Sequence, residues 1–188
     1  MEIPKKKDIV LQMFNDISHR YDFLNHFLSF GIDRQWRKKF VRILSAQKPR
    51  RVLDVATGTG DLAFAIAALK PELITGLDPA EKMIGIAREK AARNRLDKVI
   101  SFHIGDSENL PFPDDAYDAV TVAFGVRNYE NLDRGLNEMK RVIRPGGIMM
   151  ILEFSQPPSL FIRRLYRFYS KYIIPLAGRI ISGNAHAY

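Results

Sequence analysis

Two glycines and a scatter of carboxylates hold most of the chemistry this chain can offer. In Val52-Leu53-Asp54-Val55-Ala56-Thr57-Gly58-Thr59-Gly60-Asp61, Gly58 and Gly60 let the backbone approach a ligand where a Cβ would collide. Gly58-Thr59-Gly60-Asp61-Leu62-Ala63 literally fits the dinucleotide pattern G-x-G-x-x-[GA], with Asp78 at the distance of a ribose-binding acid. That match alone is weak. Asp54 stands just before the turn and Asp61 opens the next helix, where a pyrophosphate would lie, so two carboxylates would face a doubly anionic ligand. S-adenosylmethionine has no phosphate and carries an ammonium and a sulfonium, which carboxylates suit. The plainer alternative is that Asp54 hydrogen-bonds the turn and Asp61 caps the helix.

Other polar residues fall at regular intervals downstream. Asp78 can accept from both ribose hydroxyls, or cap a helix starting near Ala80 with Pro79 at its first position. Asp106 and Ser107 can bond the exocyclic amine and ring nitrogen of an adenine, or simply start an Asx turn. Arg127-Asn128 puts a cation and an amide on a loop with no obvious local need for them.

The elements that must position these residues can be read from periodicity. Val52–Val55, Leu73–Leu77, Val99–Ile104, Ala119–Phe124 and Ile148–Phe154 read as five short strands. Helical spacing follows Asp61, runs from Ala80 to Asn94, and runs again from Leu132 to Ile143, stopping at Pro145-Gly146-Gly147. Alternation of this kind predicts parallel βαβ units in a Rossmann-like α/β fold, whose ligands bind beyond the carboxyl ends of the strands. Residues 1–48 contain no strand. Ile9, Val10, Met13, Phe14 and Ile17, then Phe23, Leu24, Phe27 and Leu28, then Trp36, Phe40, Val41 and Leu44 recur at helical spacing, with Gly31 as punctuation and Asp33 as an N-cap. They read as a helical cap ahead of a 49–155 core, followed by a 156–188 tail, all in one domain.

With 188 residues, 46% of them hydrophobic, the chain can bury one sizeable core. The absence of cysteine excludes disulfides, thiolate metal sites and cysteine nucleophiles. Lys5-Lys6-Lys7 followed by a mixed amphipathic run does not read as a secretory signal, so a cytoplasmic protein is expected. Lysine plus arginine against aspartate plus glutamate count 11 to 5 over residues 1–50, 13 to 16 over 51–155, and 5 to none over 156–188. Basic flanks around a mildly acidic middle do not look like a nucleic-acid groove running across the whole molecule; they are compatible with touching anionic lipid or RNA at one edge, but no nucleic-acid partner is expected. In the tail, Leu160, Phe161, Leu165, Phe168 and Ile173 interleave with Arg163, Arg164, Arg167 and Lys171. This is too charged to span a bilayer, but it is able to lie on anionic lipid or to dock on the sheet.

Several stretches together resemble the ubiquinone/menaquinone biosynthesis C-methyltransferases. They are Asp54–Asp61, Gly105–Phe112, Phe124-Gly-Val-Arg-Asn128, Arg144–Gly147 and Leu152–Ser155, with Phe14–Ser18, Tyr21-Asp22, Asn25, Leu28–Asp33 and Trp36 upstream. The resemblance implies an S-adenosylmethionine-dependent enzyme that methylates a ring carbon of a polyprenylated hydroquinone, as from demethylmenaquinol to menaquinol. It implies cofactor contacts from Thr59, Asp78, Asp106 and Ser107, with a backbone contact at Ala123, where many relatives have Ser. It also implies an active site of Arg127, Asn128 and Tyr21. Relatives continue beyond the part matching His186-Ala187-Tyr188 with strands that complete a seven-stranded sheet. Five strands are expected here, and a second copy in a homodimer is one way of covering an open edge.

The methyl donor is already activated, so the protein must align it and make the ring carbon nucleophilic. An ordinary phenol, near pKa 10, is too weak an acid for that at neutral pH. Arg127 can stabilise the phenolate and Asn128 can orient it, while the proton would go to water, His19 or His26. Three other functions share parts of the pattern: a small-molecule or RNA methyltransferase, an NAD-dependent oxidoreductase, and a non-catalytic membrane-associated partner of a quinone-synthesis complex.

Overall fold

The computed structural model describes residues 6–29 and 31–155. Val52, Leu53 and Val55 are fully buried because β1 (Arg51–Val55) lies inside the sheet with a packed apolar layer on each face. A strand buried on both faces reads as a near-continuous apolar run, interrupted here by Asp54. β2 (Leu73–Asp78) and β3 (Ile100–Ile104) lie on one side, and β4 (Tyr117–Ala123) and β5 (Ile143–Leu152) on the other. The five strands are parallel in the order β3-β2-β1-β4-β5. The order reverses at β1 and β4, the switch point at which open α/β sheets bind ligands.

Alternation along the strands sorts the core into two layers. Val52, Ile74, Ile100, Phe102 and Ala119 pack against α2 (Ile32–Ser45), α3 (Asp61–Ala67) and α4 (Glu81–Arg93) through Leu44, Leu62, Ile66 and Ile84. Leu53, Val55, Leu77, Val120 and Val122 face the other way, onto Met139 of α5 (Leu132–Arg141).

β5 departs from the expectation. It begins at Ile143 rather than Ile148 and takes in Arg144-Pro145-Gly146-Gly147. Tyr117 pairs with Ile143 and Ala119 with Ile148, so the breaker residues occupy a bulge. There Gly146 takes φ +78, and a bulge is where proline is tolerated in a sheet. Accordingly α5 ends at Arg141, short of Ile143.

The cap is two helices. α1 (Lys6–Leu28) carries the first two apolar groups as one unit, and the N-cap of α2 is Gly31, at φ +73, instead of Asp33. Asp33 is buried in the first turn and binds His26 Nδ1 at 2.7 Å, Ser29 Oγ at 2.6 Å and Arg37 Nη1 at 2.5 Å. The charges continue inward: Arg37 Nη2 lies 3.2 Å from Asp61, and Lys90 Nζ lies 2.8 Å from Asp61 and 3.0 Å from Asp22 of α1. Thr59 Oγ1 donates to Asp22. Burial works against the Asp61 carboxylate, but Lys90, Arg37 and His26 hold its pKa below the ordinary value. Lys90→Met removes the cation shared by α1 and α3. It should cost about 2 kcal/mol in urea unfolding, less than the roughly 3–5 of a fully buried pair, because Lys90 keeps 19% exposure.

The 156–188 tail, where apolar and basic residues interleave, lies outside the described residues. Among the described residues no helix is long and apolar enough to cross a membrane.

Candidate functional site

A cleft open to solvent lies over the carboxyl ends of β1, β2 and β4. Backbone conformation makes room for it. Ala56 after β1 and Phe124 after β4 both take left-handed φ, at +52 and +58, as do Gly58 at +56 and Gly60 at +87. Such a conformation costs a non-glycine residue roughly 1–3 kcal/mol and clusters where ligands bind. A Cβ on Gly60 would stand 2.8 Å from Phe102, so this position also needs the missing side chain for packing. A Cβ on Gly58 would meet only Tyr21 Cε1, at 3.9 Å, which places the cap helix directly above the turn.

Asp78 lines the cleft. Its Oδ2 accepts from Gly58 N–H and its Oδ1 from Ala80 N–H, both at 2.9 Å. The N-cap of α4 is Ala80, not Asp78; the Asp78 carboxylate instead braces the glycine turn and the residue ahead of α4 while lining the cleft. Burial raises its pKa to about 6, against the two backbone donors. Asp106 and Ser107 line the same wall, with Glu108 N–H donating to Asp106 Oδ1 in an Asx turn. Ala123, Gly125, Asn128 and Tyr129 supply the β4 side; Val10, Leu11, Phe14 and Tyr21 of α1 form the roof. Burial raises the pKa of Tyr21, so its hydroxyl keeps its proton at neutral pH.

Asp54 and Asp61, the two carboxylates expected to repel a pyrophosphate, are engaged elsewhere. Asp54 lies beneath the turn and accepts from Thr57 Oγ1 at 2.6 Å and Thr121 Oγ1 at 2.8 Å. Asp61 faces Lys90 and Arg37. The negative character of the cleft comes from Asp78, Asp106 and Glu108 instead, and none of its described lining residues is lysine or arginine. Thr59 points to Asp22, and Gly60 N–H closes the turn onto Thr57 O at 2.9 Å. Arg127 stands outside the lining at 47% exposure. It pairs with Glu153 at 2.5 Å and lies over the Phe154 ring at 5.3 Å. His26 is held by Asp33 and Asp61, and His19 is exposed.

Asp54 has a consequence for stability. Burial raises its pKa to about 6, with the Thr57 and Thr121 hydroxyls pulling the other way. A raised acid contributes stability in full below about pH 4 and loses it as pH climbs through about 6, because the folded state holds the proton longer. Asp54→Asn should therefore lack about 3 kcal/mol of the stability loss between pH 4 and 6.5, read from denaturation midpoints across that range.

The ubiE/COQ5 methyltransferase family model matches residues 2–188. A demethylmenaquinone methyltransferase of Bacteroides fragilis is 45% identical over 98% of this chain and 76% of its own length. The ubiquinone/menaquinone biosynthesis C-methyltransferase UbiE of Geobacter sulfurreducens is 45% identical over 96% of this chain and 71% of its own. Among solved structures, a putative S-adenosyl-L-methionine-dependent methyltransferase from Methanococcus maripaludis superposes with a TM-score of 0.66 at 20% identity, over 92% of this chain and 76% of that one.

Proposed function

The chain belongs to the ubiE/COQ5 methyltransferase family, and from that premise we propose that it transfers a methyl group from S-adenosylmethionine to a ring carbon of a polyprenyl hydroquinone, demethylmenaquinol, in menaquinone biosynthesis. The observation that carries the cofactor is the donor set of the cleft: a buried carboxylate at Asp78, further acid at Asp106 and Glu108, and no cation among the described lining residues. Such a wall suits a sulfonium compound with ribose hydroxyls and disfavours the diphosphate of NAD. The substrate comes from the names of relatives at about 45% identity.

Bound there, S-adenosylmethionine supplies a sulfonium methyl for in-line displacement. The chain does the rest. Asp78 takes the two ribose hydroxyls, and Asp106 and Ser107 bond the adenine edge. Tyr21, still protonated, donates from the roof, while Asn128 orients the ring hydroxyl and Arg127 neutralises the charge it develops. The roof residues Val10, Leu11 and Phe14 exclude water. The basic 156–188 segment makes peripheral contact with anionic lipid, where a prenylated substrate resides.

Transfer of labelled methyl from S-adenosylmethionine to demethylmenaquinol tests the reading. Turnover is expected, together with a thermal shift on adding S-adenosylmethionine or its demethylated product and none with NAD. Lipid binding without turnover would favour a non-catalytic partner.

A further inference from the structure

The proton of the ring hydroxyl must leave before the ring carbon can attack, and neither histidine of the cap is placed to take it. The carboxylate in contact with Arg127 is Glu153, just past the end of β5. Its Oε1 accepts from Arg127 Nη1 at 2.5 Å and from the Phe154 backbone N–H at 3.0 Å. Its Oε2 is buried and accepts no hydrogen bond among the described residues. An unsatisfied buried acceptor costs roughly 1–3 kcal/mol, and in a folded protein it calls for an explanation.

The surroundings supply one. Phe124 N–H bonds Leu152 O at 2.8 Å, which sets the end of β5 beside the cleft wall. Phe124 and Phe154 stack with ring centroids 4.6 Å apart and planes 28° from parallel. Trp36 meets both, at 6.1 and 5.8 Å. Phe154 is 50% exposed, so an aromatic shelf with one yielding member runs from the cleft to Glu153. A planar diol ring laid on this shelf gains offset stacking and brings a hydroxyl to the Arg127–Glu153 pair.

We propose that Glu153 is the proton acceptor of the reaction, with Oε2 receiving the hydroxyl hydrogen of a hydroquinone seated on the Trp36–Phe124–Phe154 shelf. This rests on the methyltransfer reading above and adds the residue that reading lacks. The hydroxyl O–H bond breaks and its proton passes to Oε2. The ring carbon forms its bond to the methyl group as the methyl–sulfur bond breaks, and the sulfur keeps that pair. The same carbon then releases its hydrogen as a proton to water, restoring the aromatic ring. The phenolate oxygen recovers the first proton from Glu153, so one proton is released per turnover. An ordinary phenol is a weaker acid than an ordinary carboxylic acid by about six units. Transfer to a carboxylate therefore needs the adjacent guanidinium to hold the oxyanion, and the Arg127–Glu153 contact provides that adjacency.

The test compares the full chain with Glu153→Gln and Glu153→Ala, using demethylmenaquinol in detergent micelles. Gln keeps the shape and can still accept from Arg127, but it cannot take the proton. Its kcat should fall about 10²–10³-fold, with S-adenosylmethionine affinity within about twofold. Glu153→Ala should fall as far and recover at least about tenfold in added formate, which enters the vacated space as a replacement base. A Gln variant within threefold of the wild-type rate overturns the proposal. If Gln fails to bind S-adenosylmethionine, Glu153→Asp decides instead: a tenfold or greater loss of kcat with cofactor affinity kept supports the role, and an unchanged kcat overturns it. A wild-type chain that neither binds S-adenosylmethionine nor methylates the quinol would defeat the underlying methyltransfer reading, a result distinct from these.

Discussion

Asp78→Ala should weaken S-adenosylmethionine binding by about two orders of magnitude. The carboxylate holds Gly58 N–H and Ala80 N–H at 2.9 Å each while lining the cleft. Removing it leaves two donors without their acceptor, frees the turn, and deletes the group assigned to the ribose. Hydrogen bonds to a charged group contribute about 1.5–3 kcal/mol each, so a loss of about 3 kcal/mol, roughly a hundredfold in Kd, is a conservative sum. Global stability should also fall, by the two lost backbone acceptors, offset in part because the substitution removes a buried carboxyl whose pKa burial lifts to about 6. Asp78→Asn, which keeps one acceptor, should fall between the two. Calorimetric titration reads all three. Wild-type affinity in the Ala variant would remove Asp78 from the cofactor site. In the wild-type chain, affinity should decline as pH falls through about 6, where the carboxylate gains a proton.

The second large effect is expected at Arg127, and it has the opposite signature. Arg127→Ala should lower kcat by about 10²–10³-fold, the usual cost of removing a group that stabilises a developing oxyanion, with cofactor Kd within about twofold. An exposed ion pair kept only for stability would contribute about 0–1 kcal/mol, and its loss would leave turnover untouched. Arg127→Lys should restore only part of the rate, because an ammonium lacks the planar fork that can bind Glu153 and a phenolate together while stacking on Phe154. Single-turnover methyl transfer at saturating cofactor separates these outcomes, and a normal rate in Arg127→Ala would withdraw the role assigned here.

Much of the fold is legible because its signals are local. Val52–Val55, Leu73–Leu77 and the helix through Met83, Ile84 and Ala87 satisfy their periods within a few residues, and the structure places all of them in the parallel sheet and its cover. β5 is less legible. Pro145-Gly146-Gly147 reads as a stop, and only the pairing with Tyr117 on the distant β4 shows that the strand passes through it as a bulge. The same limit governs the site. Asp78, Asp106 and Ser107 stand at strand ends, where position in sequence fixes position in space. Asp54 and Asp61 stand as near the turn, yet their partners Thr121 and Lys90 come from remote segments that turn them away from the cleft. Asp22, Trp36, Phe124 and Phe154 fall within recognisable stretches of sequence, but their mutual contacts, like the place of Tyr129, depend on other elements and have no local signal. Glu153 belongs to a motif that gives it no task in sequence; that its Oε2 has no partner among the described residues is visible only in three dimensions.

Tyr21 and Asp22 are consecutive residues of α1, one above the glycine turn and the other tied to Lys90 and Thr59. A ligand that binds better beneath a docked α1 than beneath a displaced one would couple to the docking of this helix, and coupling of that kind is reciprocal. S-adenosylmethionine is therefore expected to slow amide hydrogen exchange along α1, and to do so less when Asp22 is replaced by Ala.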